Sequence, residues 1–185
     1  MIKKGFLLAL LAAAAAATPP PLVEEDFGGS RFPPQGWAVT GYGSDWGWSN
    51  PGGYADGYAT TVIGDEAKCS IMTPSFRLDR DQRIRVIFRY VATGYGSAPR
   101  QYDISIDGGG QIISYGLPET SGWEYYEWVS SPVTAKGRYK IHWFSMVYGP
   151  YNSGTTILRL DDVEIGLYNV AVGPTSLGRV KALYY

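Results

Sequence analysis

The 185-residue sequence has one cysteine, one histidine and almost no excess of either charge. With Cys69 alone, an internal disulfide is impossible, so packing, a metal ion or both must hold the fold, and Cys69 is predicted to be a buried apolar residue. With 16 Lys and Arg against 17 Asp and Glu, the chain lacks the basic surface that nucleic-acid binding requires. Neither Cys69 nor His142 lies in a nucleophile turn, and no acid pair marks a two-carboxylate hydrolase. We therefore expect no enzymatic activity.

The sequence also lacks an apolar run that could cross a bilayer. Residues 5–17 form an apolar stretch of about 13 residues, short of the roughly 20 that a membrane span needs. Lys3 and Lys4 precede this stretch and small alanines end it, which predicts a secretory signal peptide over 1–17 with cleavage after Ala17. Its removal leaves 14 basic and 17 acidic residues, a net charge of −3. We expect an exported chain without a transmembrane segment, secreted or at the cell surface.

Beyond a Pro-rich spacer at 18–23, alternation with a period of two dominates the chain. Ile84, Val86 and Phe88 alternate with arginines, as in a half-buried antiparallel strand. Similar patterns, separated by Gly, Asn and Asp turn residues, predict strands over 37–40, 58–63, 68–72, 76–78, 83–90, 102–106, 111–115, 123–129, 138–147 and 155–165. They indicate an all-β domain over 24–166, an antiparallel two-sheet sandwich or jelly roll without helices. Residues 167–185 are predicted to be a linker and a short helical tail.

Aromatic residues make up 15% of the chain and divide into two groups. Those on strand patterns are predicted to lie in the core: Trp37, Phe88, Trp123 and Trp143. Those in Gly-rich or Pro-rich polar stretches are predicted to contact a ligand: Tyr42, Trp46, Tyr54, Tyr95, Tyr148 and Tyr151. Flat rings with polar neighbours suit the apolar C–H faces and hydroxyls of sugars, although loop aromatics can also cover a core edge or form a protein interface.

Two acidic clusters lie at opposite ends of the predicted domain. Glu25 and Asp26 open it, and Asp161 and Asp162 belong to the last predicted strand. The first and last strands of a jelly roll commonly lie side by side, so these carboxylates could together bind Ca²⁺, which takes six to eight oxygen ligands. The alternative interpretation is that the acids are solvated and that Asp161 and Asp162 mark a β-bulge, where the alternation slips.

The order of several short segments resembles the choice-of-anchor J or cleaved adhesin domain family, which is similar to MAM domains. The resemblance extends over about residues 24–166 and rests on Glu25-Asp26-Phe27-Gly28-Gly29, Phe32-Pro33-Pro34-Gln35-Gly36-Trp37, Ile71-Met72-Thr73-Pro74 and Leu160-Asp161-Asp162-Val163. Gln35 is an insertion relative to the family pattern. The resemblance implies a jelly-roll β-sandwich of the galactose-binding or concanavalin-like type, a non-catalytic adhesive or glycan-binding role at a bacterial surface, and a structural calcium ion.

These observations predict a secreted, non-catalytic adhesion or recognition module that binds glycans or proteins at the cell surface. Two alternatives remain open. One is a carbohydrate-binding module proper, which would bind sugars as a monomer. The other is a structural subunit of an extracellular layer or filament, which would self-associate through its aromatic loops and its tail.

Overall fold

The fold is described from a computed structural model that defines residues 20–29, 31–42, 46–49, 58–63, 68–148 and 154–168. The predicted signal peptide, the tail beyond residue 168 and the ligand candidates Tyr54 and Tyr151 lie outside these ranges. These residues form no helix, and so they contain no helix that could cross a membrane.

The described residues include twelve strands, and all ten predicted strands are among them. The strands are β1 (Val23–Glu25), β2 (Ala38–Tyr42), β3 (Gly47–Ser49), β4 (Tyr58–Ile63), β5 (Lys68–Met72), β6 (Phe76–Leu78), β7 (Ile84–Gly96), β8 (Arg100–Gly108), β9 (Gln111–Gly116), β10 (Glu124–Val129), β11 (Gly137–Val147) and β12 (Gly154–Leu167). They extend from Val23 to Leu167, one residue beyond each end of the predicted domain.

The strands form two antiparallel sheets, so the predicted two-sheet β-sandwich is confirmed. Sheet 1 has the order β10-β7-β12-β4-β3, with β1 also paired to β12. Sheet 2 has the order β2-β5-β11-β8-β9, with β6 also paired to β11. The long strands β12 and β11 each bind neighbours on both sides, and each accommodates two short strands end to end along one side.

Aromatic rings from both sheets fill the space between them. The Trp143 ring stacks on Trp37 at a centroid distance of 6.1 Å and meets the edge of Phe88 at 5.4 Å. Phe27 extends the cluster with an edge contact to Trp37 at 5.3 Å. Three of the four predicted core aromatics therefore lie in the core. Cys69 is also buried, as predicted, with its Sγ 3.3 Å from the Thr61 hydroxyl.

The fourth core prediction, Trp123, is wrong. Trp128 is the buried tryptophan of β10, and Tyr126 packs partly against the same core. Because side chains alternate along a strand, Trp123 falls on the opposite side from these two residues. It is half-buried and lies just before β10 begins.

The predicted β-bulge is present in β12. Pairing with β7 runs to Asp161, opposite Arg89, and resumes at Glu164, opposite Ile87. Asp162 between them has a left-handed backbone with φ of 49°, which Asp tolerates better than most residues. Its backbone N–H donates to the Asp161 Oδ1 atom at 2.9 Å, and this local bond stabilises the bulge.

Candidate functional site

The outer surface of sheet 2, which we call the sheet 2 face, is centred on β11. Side chains of β11 alternate strictly along the strand. One set is buried against sheet 1: Tyr139, Ile141, Trp143, Ser145 and Val147. The other set points away from the core: Arg138, Lys140, His142, Phe144 and Met146. An aromatic ring thus lies among polar and charged side chains on an outward-facing surface.

Phe144 lies in the middle row of this face. Its register partners are Ser70 on β5 and Asp103 on β8, and directly opposed residues project from the same side of a sheet. The Thr40 hydroxyl on β2 extends the row, since it is 2.8 Å from the Ser70 hydroxyl. A groove of about 340 Å³ runs along Phe144, Ser70, Thr40 and Lys68. The half-buried Phe144 ring therefore has hydroxyls on one side and a carboxylate on the other.

A chain of hydrogen bonds fixes the polar side chains next to Phe144. The Tyr148 hydroxyl donates to the Gln101 Oε1 atom at 2.5 Å. The Gln101 amide in turn donates to the Asp103 Oδ2 atom at 2.5 Å. Tyr148 directly follows β11, and Gln101 and Asp103 lie near the start of β8, so the sheet positions a donor and acceptor set before any ligand is bound.

His142 lies two residues from Phe144 on the same face, as predicted for a strand histidine opposite Trp143. Its Nε2 atom is buried, is 3.5 Å from the Asp107 Oδ2 atom, and makes no hydrogen bond among the described residues. Burial lowers the pKa of His142; the Asp107 carboxylate opposes this shift and the Lys140 ammonium group adds to it. The imidazole is therefore kept mainly neutral near pH 7.

The predicted ligand aromatics do not form one cluster. Tyr148 is 43% exposed and belongs to the sheet 2 face through its bond to Gln101. The backbone of Tyr42 is in register with Lys68 at the same end of this face. Tyr95, 69% exposed, is instead the penultimate residue of β7 in sheet 1. Tyr148 thus belongs to the sheet 2 face, the Tyr42 backbone lies on the edge strand of sheet 2, and Tyr95 lies in sheet 1.

Trp46 is the clear correction among these residues. It is only 5% exposed and belongs to the hydrophobic core, although it precedes a short strand in a Gly-rich stretch. A ring buried to this extent cannot stack on a sugar. Packing of the loop against the core edge, one of the alternatives for loop aromatics, describes Trp46 better than ligand contact.

The two acidic clusters meet, as the jelly-roll hypothesis requires. β1 pairs with β12 so that Glu24 is opposite Glu164 and Glu25 is opposite Val163. A groove of about 450 Å³ lies there, lined by Glu24, Glu25, Asp26, Asp162, Val163 and Glu164. The pKa of Glu25 is raised by burial and by the Asp26 carboxylate, against a bond from the Phe27 backbone N–H.

These carboxylates do not converge into a complete metal site. No three acidic, His or Cys side chains of the described residues lie close enough together to hold an ion. The Asp162 carboxylate is paired with the Arg89 guanidinium at 3.1 Å, and Asp161 is fully buried. The chemistry of the donors suits calcium, but the side chains as placed supply only part of a coordination shell.

The residues that sequence reasoning missed are Phe144, Asp103 and Gln101. Phe144 could have been found, since it is the one aromatic residue that shares the alternation of Lys140 and His142 on β11. Asp103 and Gln101 could not, because only the β11–β8 register places them beside Phe144.

Comparison with known proteins identifies the fold. No family model matches the chain, and no curated protein matches its sequence. The CBM22-1 xylan-binding domain from Paenibacillus barcinonensis Xyn10C has a TM-score of 0.55 at 17% identity, covering 85% of this chain and 100% of that one. TmCBM61, solved in complex with β-1,4-galactotriose, has a TM-score of 0.52 at 19% identity, covering 78% and 97%.

A third similar structure is the enzymatically active domain of bacteriophage CBA120 tailspike protein 4, with a TM-score of 0.52 at 12% identity over 72% of this chain. The chain spans only 20% of that protein. At such identities the similarity establishes architecture alone, and no family model confirms the choice-of-anchor J resemblance. The chain therefore has the jelly-roll β-sandwich fold that is also found in carbohydrate-binding modules.

Proposed function

We propose that this protein is a non-catalytic carbohydrate-binding module whose ligand lies on the sheet 2 face. The observation that carries the proposal is the outward-facing Phe144 ring between the Ser70 hydroxyl and the Asp103 carboxylate. A pyranose offers an apolar C–H face to such a ring and hydroxyls to its neighbours. The bonds from Tyr148 through Gln101 to Asp103 reduce the cost of ordering these polar groups on binding.

The similar structures support the same proposal. One is a xylan-binding domain and another was solved with β-1,4-galactotriose, and this chain covers nearly all of both. They favour a carbohydrate-binding module over an adhesion domain with a protein ligand. The tailspike domain is enzymatically active, but at 12% identity, with this chain spanning only 20% of it, the likeness is one of fold and does not support the same activity here.

The wider setting that we propose is an exported protein at the cell surface, where polysaccharide binding would serve adhesion or recognition. The lysines and apolar stretch of residues 1–17 support export, and the segment resemblance supports a surface location. Detection of the tagged chain in the medium or on intact cells, against its cytoplasmic fraction, tests this setting.

The decisive experiment for binding is affinity electrophoresis and calorimetry of the full chain with neutral and acidic polysaccharides. We expect saturable binding to at least one polymer, and Phe144→Ala should weaken it about tenfold or more through the loss of ring contact. Tyr125→Ala is the matched control, because Tyr125 is 57% exposed on the outer surface of sheet 1.

Three results would contradict the proposal. They are the absence of binding to every polymer, unchanged binding by Phe144→Ala, and an equal loss in both variants. Thermal melting of both variants shows whether each remains folded.

We also propose that calcium stabilises the junction between β1 and β12, with Glu25, Asp26, Asp161 and Asp162 as the candidate residues. The antiparallel pairing of these strands and the oxygen-rich groove support it. Because no three of these side chains lie together, the remaining ligands would have to be backbone carbonyls or water.

A further inference from the structure

Two arginines face each other at one end of the sheet 2 face. β6 pairs with β11 so that Arg77 and Arg138 are direct cross-strand partners, and both side chains are exposed. Like charges in this position destabilise an antiparallel pair. Among the described residues, neither arginine forms an ion pair, and the carboxylate of Asp79, which lines the same groove, is bound to Lys136 at 2.8 Å. The register thus places two arginines without an ion pair directly opposite each other on adjacent strands.

A groove lies at this arginine pair. It has a volume of about 410 Å³ and is lined by Arg77, Leu78, Asp79, Lys136, Gly137 and Arg138. Lys140 follows Arg138 on the same side of β11, and the carboxylate opposite Lys140, that of Asp107, faces His142. This end of the face thus has an excess of positive charge on a chain whose net charge is −1.

The arginine pair and Phe144 lie on one continuous surface. Arg138, Lys140, His142 and Phe144 follow each other at every second residue of β11 and share its outer side. Arg138 and Phe144 are six positions apart on the strand, a distance of roughly 20 Å. A polysaccharide that lies along β11 would therefore contact the ring at one end and both guanidinium groups at the other.

We propose that the polysaccharide bound by the sheet 2 face is acidic, and that Arg77 and Arg138 together hold its carboxylate or sulfate groups. The planar fork of arginine matches such oxyanions with two parallel hydrogen bonds, and an anion between the two guanidinium groups removes their repulsion. This proposal rests on the proposed function and names the class of its ligand.

The test measures binding of the full chain to polygalacturonate, dextran sulfate, and neutral galactan and xylan. We expect an acidic polymer to bind more tightly than either neutral one, and the double variant R77Q/R138Q to bind it about tenfold more weakly. The control R83Q/R85Q removes two arginines at the start of β7, in sheet 1, and should bind as the parent chain does. Preference for polygalacturonate or for dextran sulfate identifies carboxylate or sulfate as the group that is recognised.

The outcomes separate this proposal from the proposed function. If only neutral polymers bind, and Phe144→Ala alone weakens them, the acidic ligand is wrong and carbohydrate binding stands. If acidic polymers bind equally to R77Q/R138Q and the parent, or if both double variants lose the same affinity, the arginine site is wrong. If no polymer binds, the proposed function itself fails. The single variants R77Q and R138Q replace the double variant should it not fold.

Discussion

At the scale of single residues, alternate side chains of β11 face the core and the outer surface of sheet 2. Trp143 packs against Trp37 and Phe88 in the core, while Phe144, the next residue, faces outward beside Asp103. Because the side-chain period of a strand is two, neighbouring aromatics can have opposite environments and opposite roles. On this strand, whether a position is odd or even therefore predicts the environment of its side chain better than the residue type does.

His142 provides a prediction about pH. Burial lowers its pKa below the ordinary value of about 6.5, so the unfolded chain takes up a proton before the folded chain does as the pH falls. The free energy of unfolding therefore decreases as the pH falls below about 6.5, because protonation of this imidazole favours the unfolded chain. Urea unfolding at pH 7 and pH 5 should show a smaller loss of stability for His142→Gln than for the parent.

The carboxylates titrate in both proteins, so the difference between them isolates the histidine. Equal losses of stability between pH 7 and pH 5 in the parent and in His142→Gln would show that the imidazole is not held neutral by the fold.

The sequence predicts core residues correctly where a long alternating run shows which positions face inward. The prediction fails where no such run is present. Phe88 and Trp143 lie within long alternating runs and are buried as expected. Trp123 lies just before a short strand that has aromatic residues on both faces, Tyr125 on one and Trp128 on the other, so the alternation does not show which face is buried, and that prediction is wrong. Trp46 is buried although its local sequence reads as a polar loop, because tertiary packing, not composition, decides which loop rings cover the core.

At the scale of elements, a glycine in the turn of the β8–β9 hairpin allows the hairpin to pack closely against Tyr139 of β11. Gly109 and Gly110 both have left-handed φ, 58° and 79°, but their surroundings differ. A Cβ at Gly109 would clash with the Tyr139 hydroxyl, whereas a Cβ at Gly110 would meet nothing within 4 Å. The Tyr139 hydroxyl is fixed, because it donates to the Ala135 carbonyl at 2.5 Å.

This contrast gives a matched pair of variants. Gly110→Ala should lower the free energy of unfolding by about 1 kcal/mol, through backbone strain alone. Gly109→Ala should cost about 3 kcal/mol, since Tyr139 must also move and its hydrogen bond is disturbed. Chemical denaturation of both variants measures the two values. Equal costs would mean that the hairpin and Tyr139 are not in the contact described above.

The strands themselves were largely predictable, because alternation and turn residues mark them locally. β3 was not, since Gly47–Ser49 is too short to show a period. Sheet order was not predictable from local pattern either. The joining of β1 to β12 was anticipated only from the general form of a jelly roll, and the rows across the sheet 2 face depend on registers that no single strand encodes.

At the scale of the whole molecule, the proposed calcium ion should appear as added thermal stability. An ion bound only by the folded chain raises the melting midpoint, by roughly 5 °C or more at about 100 times its dissociation constant. Scanning calorimetry with calcium and with a chelator measures the change. Asp162→Asn should abolish it, whereas Asp81→Asn should not.

Asp81 is a suitable control because it too has a left-handed backbone, with φ of 65°, and Asn tolerates that conformation as Asp does. A midpoint of the parent chain that does not move between calcium and chelator rules the ion out. A calcium response that survives in Asp162→Asn places the ion elsewhere.

The antiparallel pairing of β1 with β12 also determines how the domain would carry a mechanical load. Val23, at the start of β1, is opposite Ile165, near the end of β12, and the Leu22 N–H donates to the Ile165 carbonyl at 2.6 Å. The chain thus enters and leaves the sandwich at the same end of one ladder. A pull applied between these two points loads the β1–β12 hydrogen bonds one after another, as in unzipping, and not together, as in shear. We therefore expect the three-residue strand β1 to detach from β12 first under such a pull.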